Sequence, residues 1–469
     1  MRRLGITLIV AMLMPVGSAQ GAEVYTVNST DDRVDADVSD GVCAASDGTC
    51  TLRAAISQAN EVAGNDLIEL RKRTYRLTLP KTASPSNEEG ALEVTEAVGI
   101  EGRGAGDTII KQTVNDRVLT SLAGGLPGAR LDDLTITGGR VTAPGNQFGG
   151  GIFNEGTLSL AGVVVRDNEV IPKPPAANSF GGGILQDDGI LLISDSRIKD
   201  NLVEVKSETG AAVGGGVMTL AGSLALVDSK VTGNTVHQFG GSAGTSSGGG
   251  IDVRGQTQIS TTTIAANTAE EGGGIAATVS ATQGEISLDS STISSNVARR
   301  GGGLLLRSSG DHQLLNSTIS GNRAPRAGSA IYALDGTADL THVTIAKNPA
   351  GEGHAVVEAG ALMDPNALRF YGTIVHGRGV ECSAPAGVLD VNEQNVFGGP
   401  SCSPGISTDF TGNPRLKPLA ANGGLTRTHA LRPTSPAIDF VSVGPSAPVD
   451  QRGVARPFQA SDAGSFERE

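Results

Sequence analysis

From residue 149 onward the apolar residues fall in short alternating runs, such as Leu158-Ser-Leu160, Leu224-Ala-Leu226 and Ile286-Ser-Leu288, and not at helical spacing. Period-2 runs of aliphatic and β-branched residues predict strands with one face turned inward. Two marks bracket each run. Upstream stands a Gly-Gly-Gly triplet followed by Ile, Val or Leu, at 149–151, 181–183, 214–216, 248–250, 272–274 and 301–303. Downstream stands Val/Ile-x-x-Asn, ending on Asn168, Asn201, Asn234, Asn267, Asn296 and Asn322. A seventh asparagine, Asn348, follows a degenerate triplet at Ala327–Ser329. The asparagines are spaced by 33, 33, 33, 29, 26 and 26 residues, the period of a solenoid whose coils each hold about three short strands.

The predicted fold is therefore all-β: a right-handed single-stranded parallel β-helix of about ten coils, ~50 Å long at ~4.8 Å per coil. Asparagine tolerates the left-handed backbone of a turn, and asparagines stacked in register can link their amides along the axis. The seven asparagines are accordingly read as a structural ladder. The triplets are read as tight corners, since none carries the Gly-Lys-Ser/Thr ending of a phosphate loop. From asparagine to next triplet the first three repeats hold 12, 12 and 13 residues (169–180, 202–213, 235–247) and the next three only 4. Three long loops should thus protrude side by side from one half of the rod; they read either as tolerated insertions or as a binding site of the kind loops on a rigid scaffold carry.

A solenoid needs its ends covered. Residues 51–62 predict a short capping helix, with Thr51 as N-cap and Leu52, Ala55, Ile56 and Ala59 on one face. Ahead of it, Arg2-Arg3, an apolar run from Leu4 to Val16 and small residues up to Ala22 form the three parts of a secretory signal peptide. The run is too short for a membrane span. The resulting division is 1–22 signal peptide, 23–80 N-terminal cap with the first strands, 81–410 β-helix and 411–469 a separate C-terminal region. In an exported chain, Cys43 near Cys50 and Cys382 near Cys402 read most simply as two loop-stapling disulfides, although sequence alone leaves the connectivity open.

The chain has 66 glycines, no tryptophan and a formal charge of -13, which becomes -15 once Arg2 and Arg3 are removed. Such a surface disfavours nucleic acid and anionic membranes and gives no electrostatic help with an acidic polysaccharide. No transmembrane segment is expected in the mature chain.

Val24-Tyr-Thr-Val27, the acidic stretch from Asp31 to Asp40 and Cys50-Thr-Leu-Arg-Ala-Ala-Ile56 resemble the domain named for its Cys-Ser-Leu-Arg-Glu-Ala signature, with Thr51 in place of Ser and Ala54 in place of Glu. The cap hydroxyl is kept and the reciprocal carboxylate of a capping box is lost. Asn413-Pro-Arg-Leu416, Asn422-Gly-Gly424, Thr428-His-Ala-Leu431, Ser435-Pro-Ala-Ile-Asp439, Asp450-Gln-Arg-Gly453 and Asp462-Ala-Gly-Ser-Phe466 resemble the choice-of-anchor Q domain. These resemblances imply an extracellular parallel β-helix protein; with no anchor after Glu469, they imply one that is released or peripherally held. The repeats are also similar to those of polymorphic outer-membrane adhesins, with Val or Ile in place of Phe three residues before the asparagine.

Candidate chemistry is sparse. Asp132-Asp133 and Asp187-Asp188 are adjacent pairs, and neighbours on a strand point to opposite faces, so neither makes a natural acid/base couple. Arginines and lysines look scattered, and the six histidines share no metal-ligand spacing. Asp35, Asp37 and Asp40 before Gly41 form a weak calcium-type pattern, for which a solvated acidic loop is the alternative. No catalytic residue and no other cofactor is assigned. The expectation is an exported, non-catalytic, adhesin-like recognition rod, outside the cell or in the periplasm, that binds a surface glycan or protein partner. The alternative is a polysaccharide lyase or glycoside hydrolase on a pectin-lyase-like β-helix, which clustered carboxylates on consecutive coils would favour.

Overall fold

The computed structural model describes residues 21–468 apart from 62, 82–86, 175, 208–209, 240–245, 279–283, 361–362, 366, 392–393, 403–407, 443–446 and 458–459; of 176, 177 and 391 it describes the backbone alone. Three parallel sheets run along the chain. The first stacks thirteen strands from Val24–Thr26 to Leu389–Val391, the second thirteen from Thr74–Leu77 to Phe410–Thr411, and the third eleven from Leu92–Val94 to Val380–Ser383. The chain visits them in that order and pairs each strand in parallel with the coil before, as when Leu158, Val165 and Ile152 meet Leu191, Ile198 and Ile184. This is the parallel β-helix that the repeat predicts. Twelve spacings in the first sheet make it ~58 Å long at ~4.8 Å each.

The inward residues form one continuous core from Tyr25 to Cys402, in which Leu158, Leu160, Val165, Ile184, Leu226 and Ile264 are wholly buried. Each such side chain contributes about 1.5–3 kcal/mol. The triplets are glycine for two reasons. The first member takes the left-handed region, with φ +57° at Gly149 and +67° at Gly181. The third lies against its neighbour coil: a Cβ on Gly183 would stand 2.6 Å from the Gly216 carbonyl oxygen and 2.9 Å from Asn201 Nδ2. The degenerate triplet sits one residue later than read from sequence. Gly301, Gly302 and Leu304 donate to the carbonyls of Ala327, Gly328 and Ala330, so Gly328-Ser329-Ala330 is the true counterpart, and Gly328 keeps the positive φ of +52°.

The long segments are not loops. Arg140–Val141, Glu169–Val170, Leu202–Val205 and Thr235–Gln238 stack as a four-stranded parallel sheet, and Gly145–Phe148, Ala176–Phe180, Ala212–Val213 and Ser246–Ser247 as another. Val170, Val203, Val205 and Val236 fill the first of these, while Phe180 and Val213 of the second pack on Leu185 and Met218 of the third sheet. The alternating Leu202-Val-Glu-Val205 carries that strand signal, which the length of the segment obscures. The strands of these insertions make a lateral lobe on four coils.

At the N-terminal end the helix runs Leu52–Glu61, and Thr51 Oγ1 caps it by accepting the Ala54 amide at 3.1 Å; residue 62 lies outside the described residues. Arg53 of the signature is buried. It pairs with Asp32 at 2.6 Å and donates to the carbonyls of Asn87, Gly90 and Ala91, which ties the helix to the acidic stretch and the first coils. At the other end, Leu416–Ala420 and Thr428–Leu431 form an antiparallel hairpin, and the region after it lies along the second sheet's outer face instead of closing the rod. Gln451 accepts Thr318 Oγ1 at 2.6 Å and donates to Ser291 O at 3.1 Å, while Leu416, Leu431 and Ala437 pack on Ala346, Ile374 and Val396. His429 accepts the Ser320 hydroxyl at 2.8 Å through Nε2 and donates from Nδ1 to Lys417 O at 2.7 Å.

Candidate functional site

The seven asparagines stand in one column where the chain leaves the second sheet. Each Nδ2 but that of Asn348, the last, donates to the next Oδ1, at 3.0 Å for Asn168, Asn201, Asn234 and Asn267, 2.9 Å for Asn296 and 3.1 Å for Asn322. Each backbone amide along the run donates to the same oxygen. All seven are at most 1% exposed, so their amides are beyond the reach of a ligand. A second polar column escaped sequence reading. Ser196, Ser229, Thr262, Ser291 and Ser317 each accept the amide of the equivalent residue one coil earlier and donate to the carbonyl two residues before them. Its signal was present, because a Ser or Thr stands five residues before each of Asn201, Asn234, Asn267, Asn296 and Asn322.

Cys43 is bonded to Cys50 and Cys382 to Cys402. Asp35, Asp37 and Asp40 lie in the loop before the helix, and their oxygens accept backbone amides: Asp37 and Ala44 on Asp35, Ser39 on Asp37 and Val42 on Asp40. Among the described residues no group of three or more His, Cys, Asp or Glu could hold a metal ion.

Two surfaces gather chemistry-bearing groups. One is an open groove of about 470 Å³ where the first sheet turns into the second, lined by Glu101, Arg130, Asp132, Asp133 and Asp195. Asp132 and Asp133 share it, contrary to the strand-alternation argument, because Asp133 leaves the strand with φ +50° and swings to the same side. Burial raises the Asp132 carboxyl above its ordinary range; Arg130, paired with it at 2.6 Å, opposes this, and Glu101 and Asp133 add to it.

The other surface is the outer face of the third sheet. Its outward column runs Phe153, Leu185, Met218, Asp252, Ala276, Leu305, Tyr332, Glu358. The lobe covers the first part and stops at Ser246–Ser247, whose Ser247 hydroxyl donates to the buried Asp252 at 2.6 Å. Burial holds Asp252 toward its protonated form against the pull of Arg254, 3.6 Å away. Beyond that step lie charged groups and one phenol. Glu271 takes Arg300 at 3.1 Å and Arg307 at 2.5 Å. Glu358 accepts the amides of Gly328 and Ala355 and meets His354 at 3.2 Å. Tyr332, partly exposed between them, has its phenol pKa raised by burial first; Arg300 and Arg307 oppose this and Glu358 and Glu271 assist it. Arg300 and Arg307 look scattered in the sequence because they stand 29 and 36 residues from Glu271. Superposing successive segments on their asparagines would have brought them together.

Among the described residues no helix is long and apolar enough to cross a membrane. No protein-family model matches the chain, and no curated protein sequence does. Solved structures that resemble it include the following two. The pectate lyase Pel9A is 14% identical over 95% of this chain and 96% of its own, with a TM-score of 0.47. The A-module of the mannuronan C-5 epimerase AlgE6 of Azotobacter vinelandii is 15% identical over 77% of this chain and 95% of its own, with a TM-score of 0.38. The likeness goes no further than the parallel β-helix already described.

Proposed function

We propose that this chain is an exported recognition rod that binds a glycan at the partly exposed Tyr332 and Glu358 on its third sheet's outer face. The observation that carries the reading is the setting of Tyr332: a partly exposed ring on the outer face of the third sheet, three coils beyond the end of the lobe, with guanidinium and carboxylate groups of Arg300, Arg307, Glu271 and Glu358 around it. A ring that can lie on a sugar face, with a few fixed polar groups to bond its hydroxyls, is the usual composition of such a site. Export is supported by the N-terminal charged, apolar and small-residue segments and by two disulfides in a chain without free cysteine among the described residues. In a binding assay of the purified protein on immobilised neutral and acidic polysaccharides, Tyr332→Ser should lower retention at least tenfold with the fold intact. Retention equal to the parent would remove this face from consideration.

One observation favours a second reading, glycoside hydrolysis in the carboxylate groove. Asp132, with its raised pKa, has the character of a general acid, and Asp133 lines the same groove as a candidate base or nucleophile. Release of reducing ends that Asp132→Asn abolishes would establish it.

A further inference from the structure

The ligand's charge can be addressed from the corners that join the second sheet to the third. Beyond the lobe these corners are short, 268–271, 297–300 and 323–327, and they stack in register. Thr268 pairs with Val297 and Val297 with Arg323; the Arg299 amide donates to Glu270 O and the Arg326 amide to Arg299 O. Glutamates of the first corner are answered by arginines of the second, Glu270 by Arg299 at 3.4 Å and Glu271 by Arg300 at 3.1 Å. The third corner brings Arg323 and Arg326, and the coil packed on it, where Gly351 lies against Pro325, brings the exposed Glu352. Both arginines are exposed, and neither makes an ion pair among the described residues. Pro325 between them fixes its own φ and holds the corner stiff. In a chain whose formal charge is -13, these two exposed guanidinium groups stand three residues apart on one corner. Arg300 of the second corner acts electrostatically on the Tyr332 phenol. A guanidinium presents a planar fork of donors that matches carboxylate and sulfate oxygens two at a time, and such charge-assisted bonds are the strong ones.

We propose that Arg323 and Arg326, with Arg299 one coil away, take the carboxylate or sulfate groups of an anionic glycan that lies over Tyr332. The proposal rests on glycan recognition by this face and adds the chemical class of the ligand. The full mature chain would be titrated with an oligogalacturonate, the same oligomer with its carboxylates methyl-esterified, a sulfated dextran fragment and plain dextran of equal length. The expected result is binding of at least one anionic probe, at least tenfold weaker for its uncharged counterpart. A double variant, R323S with R326S, should lose tenfold or more for the anionic probe, while Lys230→Ser, an exposed cation on the second sheet, should change nothing. The esterified probe keeps the test decisive if the double variant fails to fold. Equal affinity for charged and uncharged probes, or parental affinity in the double variant, overturns the anionic assignment and leaves glycan recognition standing. Absence of binding to every probe ends both.

Discussion

Replacing Asn234 by leucine probes the asparagine column at its middle. The Asn234 side chain makes four hydrogen bonds: Nδ2 donates to Ile198 O and Asn267 Oδ1, both at 3.0 Å, and Oδ1 accepts Asn201 Nδ2 at 3.0 Å and the Asn201 amide at 3.1 Å. Leucine has the same branched shape with bulkier methyls and none of these groups. Asn201 Nδ2 would keep Val165 O, and Asn267 Oδ1 would keep the Asn234 amide, so neither is orphaned. The Asn201 amide would be orphaned, in a position with no access to water. One buried unsatisfied donor costs about 1–3 kcal/mol, and each lost bond about 1 kcal/mol net; the leucine methyls offset part of this. We expect a loss of roughly 2–4 kcal/mol. Coils contact only their neighbours, so the effect should be local as well as global. Urea unfolding combined with native-state hydrogen exchange reads both: the midpoint should fall and the Asn201 amide should lose protection. An unchanged midpoint with that amide still protected would refute the view that the column holds the stack.

The remaining predictions concern the corners and the buried histidines. Gly183→Ala should cost about 1–3 kcal/mol, because its Cβ meets backbone oxygen at 2.6 Å and no flexible side chain can yield. Gly124→Ala, with open space around it and no left-handed φ, should be neutral or stabilising by up to about 1 kcal/mol in the same thermal melts. Burial lowers the His342 pKa from 6.5 to about 3, with Arg456 adding to the effect, and that of His312 to about 4. A histidine kept neutral in the folded state binds fewer protons than in the unfolded state, so its contribution is complete above pH 6.5 and is lost as pH falls from there. The loss approaches about 3 kcal/mol for each by pH 4. Glu467, which burial raises to about 7, works in the opposite direction, its contribution lost as pH rises from 4.5 through 7. His342→Asn, which copies Asn316 of the preceding coil and tolerates the positive φ, should therefore flatten the acid limb of stability against pH by about one proton relative to the parent. An identical slope in both proteins would contradict this.

The architecture was legible because a solenoid writes its period into the sequence. Triplet and asparagine recur at fixed offsets, and each has a physical reason: left-handed backbone and coil contact for Gly149 or Gly183, a shared amide chain for Asn168 to Asn348. The surface was less legible. The segments around Val170, Val203 and Val236 look like loops when judged by length, and only pairing with the neighbouring coil makes them strands. Asp133 defeats an alternation argument because a turn residue is not bound by the strand's period of two. Arg300 and Glu271, or Tyr332 and Glu358, lie in adjacent coils and meet through register alone. A pattern of inward residues fixes which side faces the core, but outward residues obey no such constraint, so their neighbours emerge only once the coils are stacked.

The measurement that tests the account most directly is product release by the purified mature chain from a panel of acidic and neutral polysaccharides, with reducing ends and unsaturated products followed alongside retention of the polymer. The account predicts retention by at least one member, dependent on Tyr332, with no products formed. Turnover of any member would contradict a recognition rod and move the chemistry to the groove of Asp132 and Asp133.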